Sequence, residues 1–245
     1  MKALFISDIH LKSQNERNGQ ILLRFLRKIS KDPELTHLFL LGDIFDVWFG
    51  SHQIYAEQFS ESVQALKVLV HQGVEISYFE GNHDFHIEKF WSSQGIHVFK
   101  GIQYKQLGPW RLHLEHGDFI NQDDKLYYYY RQGMDSLPMK TLIQSLPGSW
   151  IVDLGNMFSG KSRKSSSKRR QRDFSKLREM IRTYALHAWR KDKFDYLIAG
   201  HMHVQDEFEW IDKDQRVVSI NLGSWYEDPH ALELTDLGHQ WISLN

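Results

Sequence analysis

Residues 37–46 have the sequence HLFLLGDIFD, an apolar run that stops at a glycine and is followed by two aspartates. A short, nearly continuous apolar run is typical of a strand that is buried on both faces of a parallel sheet. Gly42 permits a tight turn where this strand ends, and Asp43 follows at once. The stretch therefore predicts carboxylates at the end of a buried strand.

Four other blocks repeat this design, because each places Asp, His or Asn directly after a strand-like run. They are Asp8-Ile9-His10, Gly81-Asn82-His83-Asp84, His116-Gly117-Asp118 and Gly200-His201-Met202-His203. Alternate residues of an extended segment point the same way, so Asp-x-His and His-x-His direct two side chains at one ion. Each block alone is common, whereas five of them at strand ends predict a single metal site.

Composition narrows the chemistry of that site. The chain has 245 residues, of which 41% are hydrophobic, enough for one sizeable core. It contains no cysteine, which excludes disulfides and thiolate metal ligands and is compatible with a reducing cytosol. We expect no secretory signal and no membrane span, because neither pattern is present. The net charge of -1 gives no indication of a nucleic-acid partner.

The order of the predicted elements indicates an α/β fold. Strand-like runs at 3–7, 37–41 and 75–80 alternate with helical patterns at 18–29 and 54–70, as in βαβ units. Further strands are predicted at 102–107, 110–115, 195–199, 207–211, 216–221, 231–234 and 240–243. We predict one domain, 1–245, with a helical insertion at 121–192 whose helices lie near 123–146 and 173–190.

The ordered motif set, from Asp8 to His203, resembles the calcineurin-like metallophosphoesterases. This resemblance implies a four-layer α/β/β/α sandwich and two metal ions bridged by Asp43. The implied ligands are Asp8, His10, Asp43 and His203 on one ion, and Asp43, Asn82, His116 and His201 on the other. Mixed nitrogen and oxygen donors suit Mn²⁺, Fe or Zn²⁺.

The chemistry of such a centre predicts a hydrolytic mechanism. Two ions roughly 3.5–4 Å apart lower the pKa of a bridging water, and the resulting hydroxide attacks phosphorus in line. We expect His83 to be catalytic, either stabilising the phosphate or protonating the leaving oxygen. Two roles remain open for Asp46 and Asp118, which either orient ligand imidazoles or are solvated turn carboxylates.

Longer stretches are similar to the UDP-2,3-diacylglucosamine pyrophosphohydrolases of lipid A synthesis. They are residues 42–50 (GDIFDVWFG), residues 116–124 (HGDFINQDD), Tyr127 and residues 222–225 (LGSW). This resemblance implies Mn²⁺-dependent cleavage to UMP and 2,3-diacylglucosamine 1-phosphate by a cytoplasmic enzyme peripherally associated with the inner membrane. The implied substrate contacts are Asn82, His83, Asp124, Tyr127, Lys161, Ser162, Lys168 and His201.

One departure keeps a second substrate class open. Those hydrolases commonly have arginine where this chain has His83. A sugar phosphate leaves without a general acid, whereas an alkoxide benefits from one, and histidine suits that role. The alternative is therefore a metallophosphoesterase that acts on another nucleotide diphosphate or a phosphodiester. A binding scaffold without metals is disfavoured, because every expected ligand is present.

The insertion has two features of its own. Leu126, Tyr130 and Met134 belong to an apolar stripe, and seven of the twelve residues at 161–172 are Lys or Arg. We predict contact with acyl chains and with an anionic membrane surface; the alternative is a self-packed helical pair with a solvated basic loop. Residues 155–162 match the P-loop pattern, but no apolar helix follows them, which argues against a nucleoside triphosphatase.

Overall fold

The computed structural model describes residues 1–121, 125–148, 150–151, 174–226 and 228–245, and the fold is built from thirteen strands and seven helices within these ranges. The strands are β1 (Lys2–Ile6), β2 (His37–Leu40), β3 (Trp48–Phe49), β4 (Glu75–Phe79), β5 (Asp84–Phe85), β6 (His97–Phe99), β7 (Gln103–Leu107), β8 (Trp110–Leu114), β9 (Tyr196–Ala199), β10 (Gln205–Asp212), β11 (Gln215–Leu222), β12 (His230–Thr235) and β13 (Gly238–Ser243). The helices are α1 (Arg17–Ile29), α2 (Gln53–Gln58), α3 (Ser60–His71), α4 (Glu88–Ser92), α5 (Lys125–Asp135), α6 (Leu137–Ser145) and α7 (Phe174–Lys191).

Two mixed sheets carry the fold. The first has the order β13-β12-β1-β2-β4-β6, and its strands β1, β2, β4 and β6 are parallel. The second has the order β10-β11-β9-β8-β7, in which β9 runs parallel to both of its neighbours. Parallel strands need long crossovers, so their carboxyl ends gather at one edge of each sheet, which is where the polar blocks follow.

Side chains that alternate along the strands build three separate cores. On β1, Leu4 and Ile6 join the core under helices α1 to α4, whereas Ala3 and Phe5 face the second sheet. On β9, Tyr196 and Ile198 fill the core between the sheets, and Leu197 and Ala199 pack with α7. Three cores between four layers establish the predicted α/β/β/α sandwich.

Two predicted helices are each divided in the structure. The pattern at 54–70 forms α2 and α3, which meet at Phe59, where the backbone leaves the helical region and the ring packs against Phe45. The pattern at 123–146 forms α5 and α6. Ser136 caps α6 by accepting a hydrogen bond from the Met139 N–H, and Pro138 in the first turn cannot continue a preceding helix.

A small parallel sheet of β3 and β5 has no counterpart in the sequence prediction. Trp48 N–H donates to the carbonyl of His83 at 2.9 Å, and Gly50 N–H donates to that of Phe85 at 2.7 Å. Strands of two residues are too short to show a periodicity. This pairing nevertheless fixes the backbone from His83 to Phe85, directly after Asn82.

The insertion places α5, α6 and α7 between β8 and β9. Its apolar stripe packs only in part, because Met134 is buried whereas Leu126 and Leu137 are 85% and 75% exposed. Helix α7 buries its apolar face on the second sheet. Within the described ranges, no helix combines the length and apolar character needed to cross a membrane.

Candidate metal centre

All five polar blocks meet at the carboxyl ends of β1, β2, β4, β8 and β9. Backbone hydrogen bonds join the loops that follow these strands: Asp8 N–H donates to the Gly42 carbonyl at 3.1 Å, and Gly200 N–H to that of His116 at 2.8 Å. A Cβ on Gly42, which has a φ of 83°, would collide with the His116 ring. Glycine is therefore required for the two sheets to approach this closely.

Five of the predicted ligands have left-handed backbone conformations that non-glycine residues seldom adopt. They are Asp8, His10, Asp43, His201 and His203, with φ values of 52–66°. Each such residue costs on the order of 1–3 kcal/mol, and the cost persists only where the surroundings enforce it. Here His201 N–H donates to Asp8 Oδ2, and His83 N–H to Asp43 Oδ1, both at 2.9 Å. The strained backbone thus directs these five side chains toward the centre of the site.

The first cluster consists of Asp8, His10, Asp43 and His203, whose ligand atoms lie within 4.8 Å of one another. His203 Nε2 lies 3.0 Å from both His10 Nε2 and Asp8 Oδ1. Asp43 Oδ2 is 3.8 Å from His10 Nε2. These are the four residues that the sequence predicts for one ion.

The second cluster consists of Asp43, Asn82, His116 and His201. Asn82 Oδ1 lies 3.1 Å from His201 Nδ1 and 3.3 Å from His116 Nε2. Asp43 Oδ2 is 3.6 Å from His116 Nε2, and the same oxygen faces His10 of the first cluster. Asp43 therefore stands between the clusters, as the prediction of a bridging carboxylate requires.

The donors of both clusters fit cations. His116 Nδ1–H donates to the Leu41 carbonyl at 2.7 Å, so its Nε2 lone pair faces the carboxylate and amide oxygens. Burial opposes protonation of His116, but Asp43 and Asp118 outweigh it and raise its pKa to about 9. The carboxylates thus favour a positive charge near this nitrogen, and a divalent ion would supply that charge without a proton.

Two other imidazoles favour their neutral, metal-binding forms. Burial lowers the pKa of His10 well below its usual value. Burial, followed by the charge of His116, lowers the pKa of His201 to about 4. Neutral imidazole nitrogens with carboxylate and amide oxygens, and no sulfur, match the donor chemistry of a hydrolytic metal centre.

A model of the calcineurin-like phosphoesterase family matches residues 1–205. The chain belongs to this family. Among curated relatives, the UDP-2,3-diacylglucosamine hydrolase of Photorhabdus laumondii is 27% identical over 245 residues, which is 99% of each chain. That of Neisseria meningitidis serogroup A is 27% identical over 227 residues, 92% of this chain and 90% of the relative. A solved archaeal phosphodiesterase shares the fold, with a TM-score of 0.52, 12% identity and 99% coverage of both chains.

These matches confirm the predicted family, fold and class of enzyme. Membership in a metallophosphoesterase family implies a dinuclear metal centre, and the two clusters supply donors for it. The resemblance to UDP-2,3-diacylglucosamine hydrolases holds over nearly the full length of the phosphoesterase.

His83 of the phosphoesterase lies beside the first cluster. Its ring stands edge-on to that of His10, with centroids 4.8 Å apart. Its Nδ1 is 2.8 Å from the backbone carbonyl of Asp46 and donates to it, because a carbonyl only accepts. The hydrogen bond fixes the orientation of the ring and occupies Nδ1, so that Nε2 is the nitrogen that does not contact this carbonyl.

Asp46 and Asp118 are both buried, with exposures of 4% and 8%, so the reading as solvated turn carboxylates is wrong for both. The Asp46 carboxylate lies within 4.8 Å of ring nitrogens of His10 and His83. Asp118 Oδ1 lies 3.8 Å from His201 Nδ1 and accepts a hydrogen bond from the Tyr127 hydroxyl. Both carboxylates therefore lie close to imidazoles of the site without belonging to the two predicted ligand sets.

Asp84 supports the site from beneath, a role that its position in the Gly-Asn-His-Asp block did not reveal. Its Oδ2 accepts from the Tyr78 hydroxyl at 2.7 Å and from Ile44 N–H at 3.2 Å, and its Oδ1 accepts from Gly81 N–H at 2.5 Å. Burial, followed by the charge of Asp43, raises the pKa of Asp84 to about 7. Asp84 thus joins the loops after β2 and β4.

Arg131 is a second site residue that the sequence does not predict, because it lies in no motif. It is 4% exposed on α5, and its Nη1 lies 3.0 Å from Asp118 Oδ2 and 2.5 Å from the Gly81 carbonyl. Its guanidinium stands over the Phe85 ring at 4.8 Å. Arg131 therefore ties the insertion to the loops that carry Asn82 and His116.

The predicted substrate contacts are only partly described. Asn82, His83 and His201 lie at the centre of the site, and the Tyr127 ring stands 5.2 Å from that of His201. Four others lie outside the described residues: Asp124, Lys161, Ser162 and Lys168. The P-loop-like match at 155–162 and the basic stretch at 161–172 lie there as well.

Proposed function

We propose that this phosphoesterase hydrolyses the pyrophosphate of UDP-2,3-diacylglucosamine to UMP and 2,3-diacylglucosamine 1-phosphate. The observation that carries the proposal is the set of relatives named UDP-2,3-diacylglucosamine hydrolases, which are 25–27% identical over 90–99% of their length. The reaction adds water across the bond between the UMP phosphorus and the bridging oxygen. That oxygen leaves with the sugar phosphate, and the water oxygen stays with UMP.

The metal part of the proposal is a pair of Mn²⁺ ions, with Fe or Zn²⁺ as alternatives. Asp8, His10, Asp43 and His203 would hold one ion, and Asp43, Asn82, His116 and His201 the other. When bound, such a pair supplies activation of water and neutralises charge on the phosphate oxygens. Donor atoms of both clusters come within 4 Å of Asp43 Oδ2, which supports its assignment as the shared ligand.

The remaining steps belong to the chain itself. His83, held by the Asp46 carbonyl, presents Nε2 to a phosphate oxygen and either donates a hydrogen bond to it or protonates the leaving oxygen. Asp8, His10, Asp43 and His116 are buried almost completely, and the exclusion of water around them strengthens these electrostatic contacts. Asn82, His201 and His203 are partly exposed at the open side of the site. His83 is accordingly the proposed catalytic residue.

The insertion is the proposed cap over the lipid. Leu126, Tyr129 and Leu137 expose apolar surface on α5 and α6, and Tyr127 of the same helix reaches the second cluster. An exposed apolar face beside a phosphoesterase site suits acyl chains. Asp124, Tyr127, Lys161, Ser162 and Lys168 would contact the sugar and phosphate. Within this proposal the enzyme works at the cytoplasmic face of the inner membrane.

A substrate comparison tests the function. The Mn²⁺-loaded protein should release UMP from UDP-2,3-diacylglucosamine with a kcat/KM far above that for bis-p-nitrophenyl phosphate. Turnover of the small ester alone would remove the lipid substrate from the proposal while leaving the phosphoesterase class intact. Mass spectrometry in H₂¹⁸O should find the label in UMP, because the attack is on its phosphorus.

A vesicle experiment tests the membrane association. Replacing the seven Lys and Arg residues at 161–172 with Gln should weaken binding to anionic vesicles, each cation contributing about 1 kcal/mol near the surface. The loss should be large at low salt and small at high salt, because salt screens the attraction. Neutral vesicles serve as the control. Equal binding of both proteins to anionic vesicles would exclude this role for the basic stretch.

His83 favours a second candidate, a metallophosphoesterase for another nucleotide diphosphate or a phosphodiester. Its imidazole is oriented by a hydrogen bond and stands at the first cluster, where a proton donor assists an alkoxide leaving group. His83→Arg separates the candidates, because arginine supplies charge but no transferable proton. Retained turnover favours a sugar phosphate leaving group, whereas a loss of about 100-fold or more favours an alkoxide.

A further inference from the structure

Tyr226 forms a half-exposed aromatic wall beside the first cluster. Its ring lies parallel to that of His10, with an interplanar angle of 4° and centroids 5.3 Å apart. Its centroid is also 5.7 Å from that of His203. Tyr226 packs against both histidines, yet 48% of its own surface remains exposed.

The backbone that carries Tyr226 is anchored from several sides. The neighbouring Trp225 is buried, and its indole N–H donates to the His230 carbonyl at 2.9 Å. Trp225 N–H donates to the Asp8 carbonyl at 3.2 Å, and its own carbonyl accepts from the Asn18 side chain at 3.1 Å. A ring on such a support loses little conformational freedom when a ligand stacks on it.

The two ends of the site differ in chemistry. Tyr127 on α5 stands at His201, and the exposed apolar residues of α5 and α6 extend from that end. Tyr226 stands at the opposite end, against His10 of the first cluster. A substrate whose apolar tail lies along α5, and whose planar heteroaromatic head is joined to the tail by phosphates, matches this polarity.

We propose that Tyr226 is the nucleobase platform of the site, and that its half-exposed ring stacks on the base of a nucleoside 5′-monophosphate unit. This assignment rests on the proposed function for the identity of the base, uracil. Stacking of a base on an aromatic side chain tolerates any base, because every base has a π-face. Tyr226 should therefore add affinity for nucleotides without selecting uracil over other bases.

Calorimetry on the Mn²⁺-loaded protein tests the platform. The measured quantity is the affinity for UMP relative to ribose 5-phosphate, which has the same phosphate and sugar but no base. The wild type should prefer UMP by about tenfold, in the range for stacking of one base. Tyr226→Phe should keep this preference, and Tyr226→Leu, which covers His10 without a π-face, should abolish it.

Metal content and inorganic phosphate affinity of each variant are the controls. If Tyr226→Leu loses metal, Tyr226→Trp decides, because a larger aromatic face should raise the preference for UMP. A wild type without the preference, or a Leu or Trp variant with an unchanged one, overturns the platform. The two proposals can fail separately. If the wild type does not hydrolyse the lipid substrate, but prefers UMP and Tyr226→Leu does not, the proposed function fails and the platform stands.

Discussion

At the scale of single residues, Asp43 connects the two clusters. Its Oδ2 faces His10 and His116, while its Oδ1 accepts from His83 N–H at 2.9 Å. Burial alone would raise the pKa of Asp43, but the surrounding imidazoles hold it below its usual value. One carboxylate therefore serves both clusters and the loop between them.

Asp43→Ala should remove both ions and abolish turnover. The substitution deletes the shared oxygen and leaves the imidazoles without their main negative partner. Metal analysis after gel filtration should find well under one Mn²⁺ per chain, against two in the wild type. Two retained ions would contradict the bridging assignment.

His83→Ala should separate catalysis from metal binding. It should slow turnover with the metal content unchanged. The loss should be about 10²–10⁴-fold where His83 protonates an alkoxide leaving group, and smaller where it only stabilises the phosphate. The matched control is Asp43→Ala measured in parallel. Equal metal loss in the two variants would mean that His83 is a ligand.

At the scale of elements, Arg131 connects helix α5 to the edge of the sheets. It pairs with Asp118 next to the second cluster and with Asp135 one helical turn away, both at 3.0 Å. It is also the donor to the Gly81 carbonyl at the start of the Asn82-His83 segment. A single buried cation therefore links the position of the insertion to that of two site loops.

Arg131→Met should destabilise the fold by about 3–5 kcal/mol, because it leaves Asp118 buried without its cation. Since Asp118 lies 3.8 Å from His201 Nδ1, Mn²⁺ affinity should fall as well. Urea unfolding and metal titration measure the two effects. Arg27→Met is the control: its exposed pair with Glu61 should cost no more than about 1 kcal/mol and no metal. Equal effects of both substitutions would refute the connection.

At the scale of the whole molecule, the site joins two sheets that hold different parts of the chain. Asp8, His10, Asp43 and Asn82 follow strands of the first sheet, and His116, His201 and His203 follow strands of the second. Bound ions would therefore hold the two halves of the sandwich together at this edge. A ligand that binds only the folded state stabilises it in proportion to the logarithm of its concentration.

Adding Mn²⁺ to chelator-treated protein should raise the thermal unfolding midpoint. At 100 times the dissociation constant, the gain is about 2.7 kcal/mol for one site. Differential scanning calorimetry with and without Mn²⁺ measures this shift, and Asp43→Ala provides the control that should not respond. An identical midpoint in metal-free and Mn²⁺-loaded wild type would show that the sheets do not depend on the ions.

The family, the layered fold and the members of both clusters could be predicted because their signals are local. An apolar run followed by glycine and a carboxylate can be recognised within ten residues, as at 37–46. The metals that a side chain can bind depend on its residue type. The start of α6 also has a local signal in Ser136 and Pro138, although both residues lie inside the single helix that the sequence predicts near 123–146. Local propensity and tertiary structure agree at these positions.

Only the tertiary structure decided the burial of Asp46 and Asp118, the tie made by Arg131, the support from Asp84 and the stacking of Tyr226 on His10. Each depends on which distant residues pack over a side chain, and burial sets both the pKa of a carboxylate and the strength of its hydrogen bonds. The sequence by itself determined which groups meet at the strand ends. The packing of the two sheets and the insertion determined what surrounds those groups, because solvent exclusion results from contacts far apart in the chain.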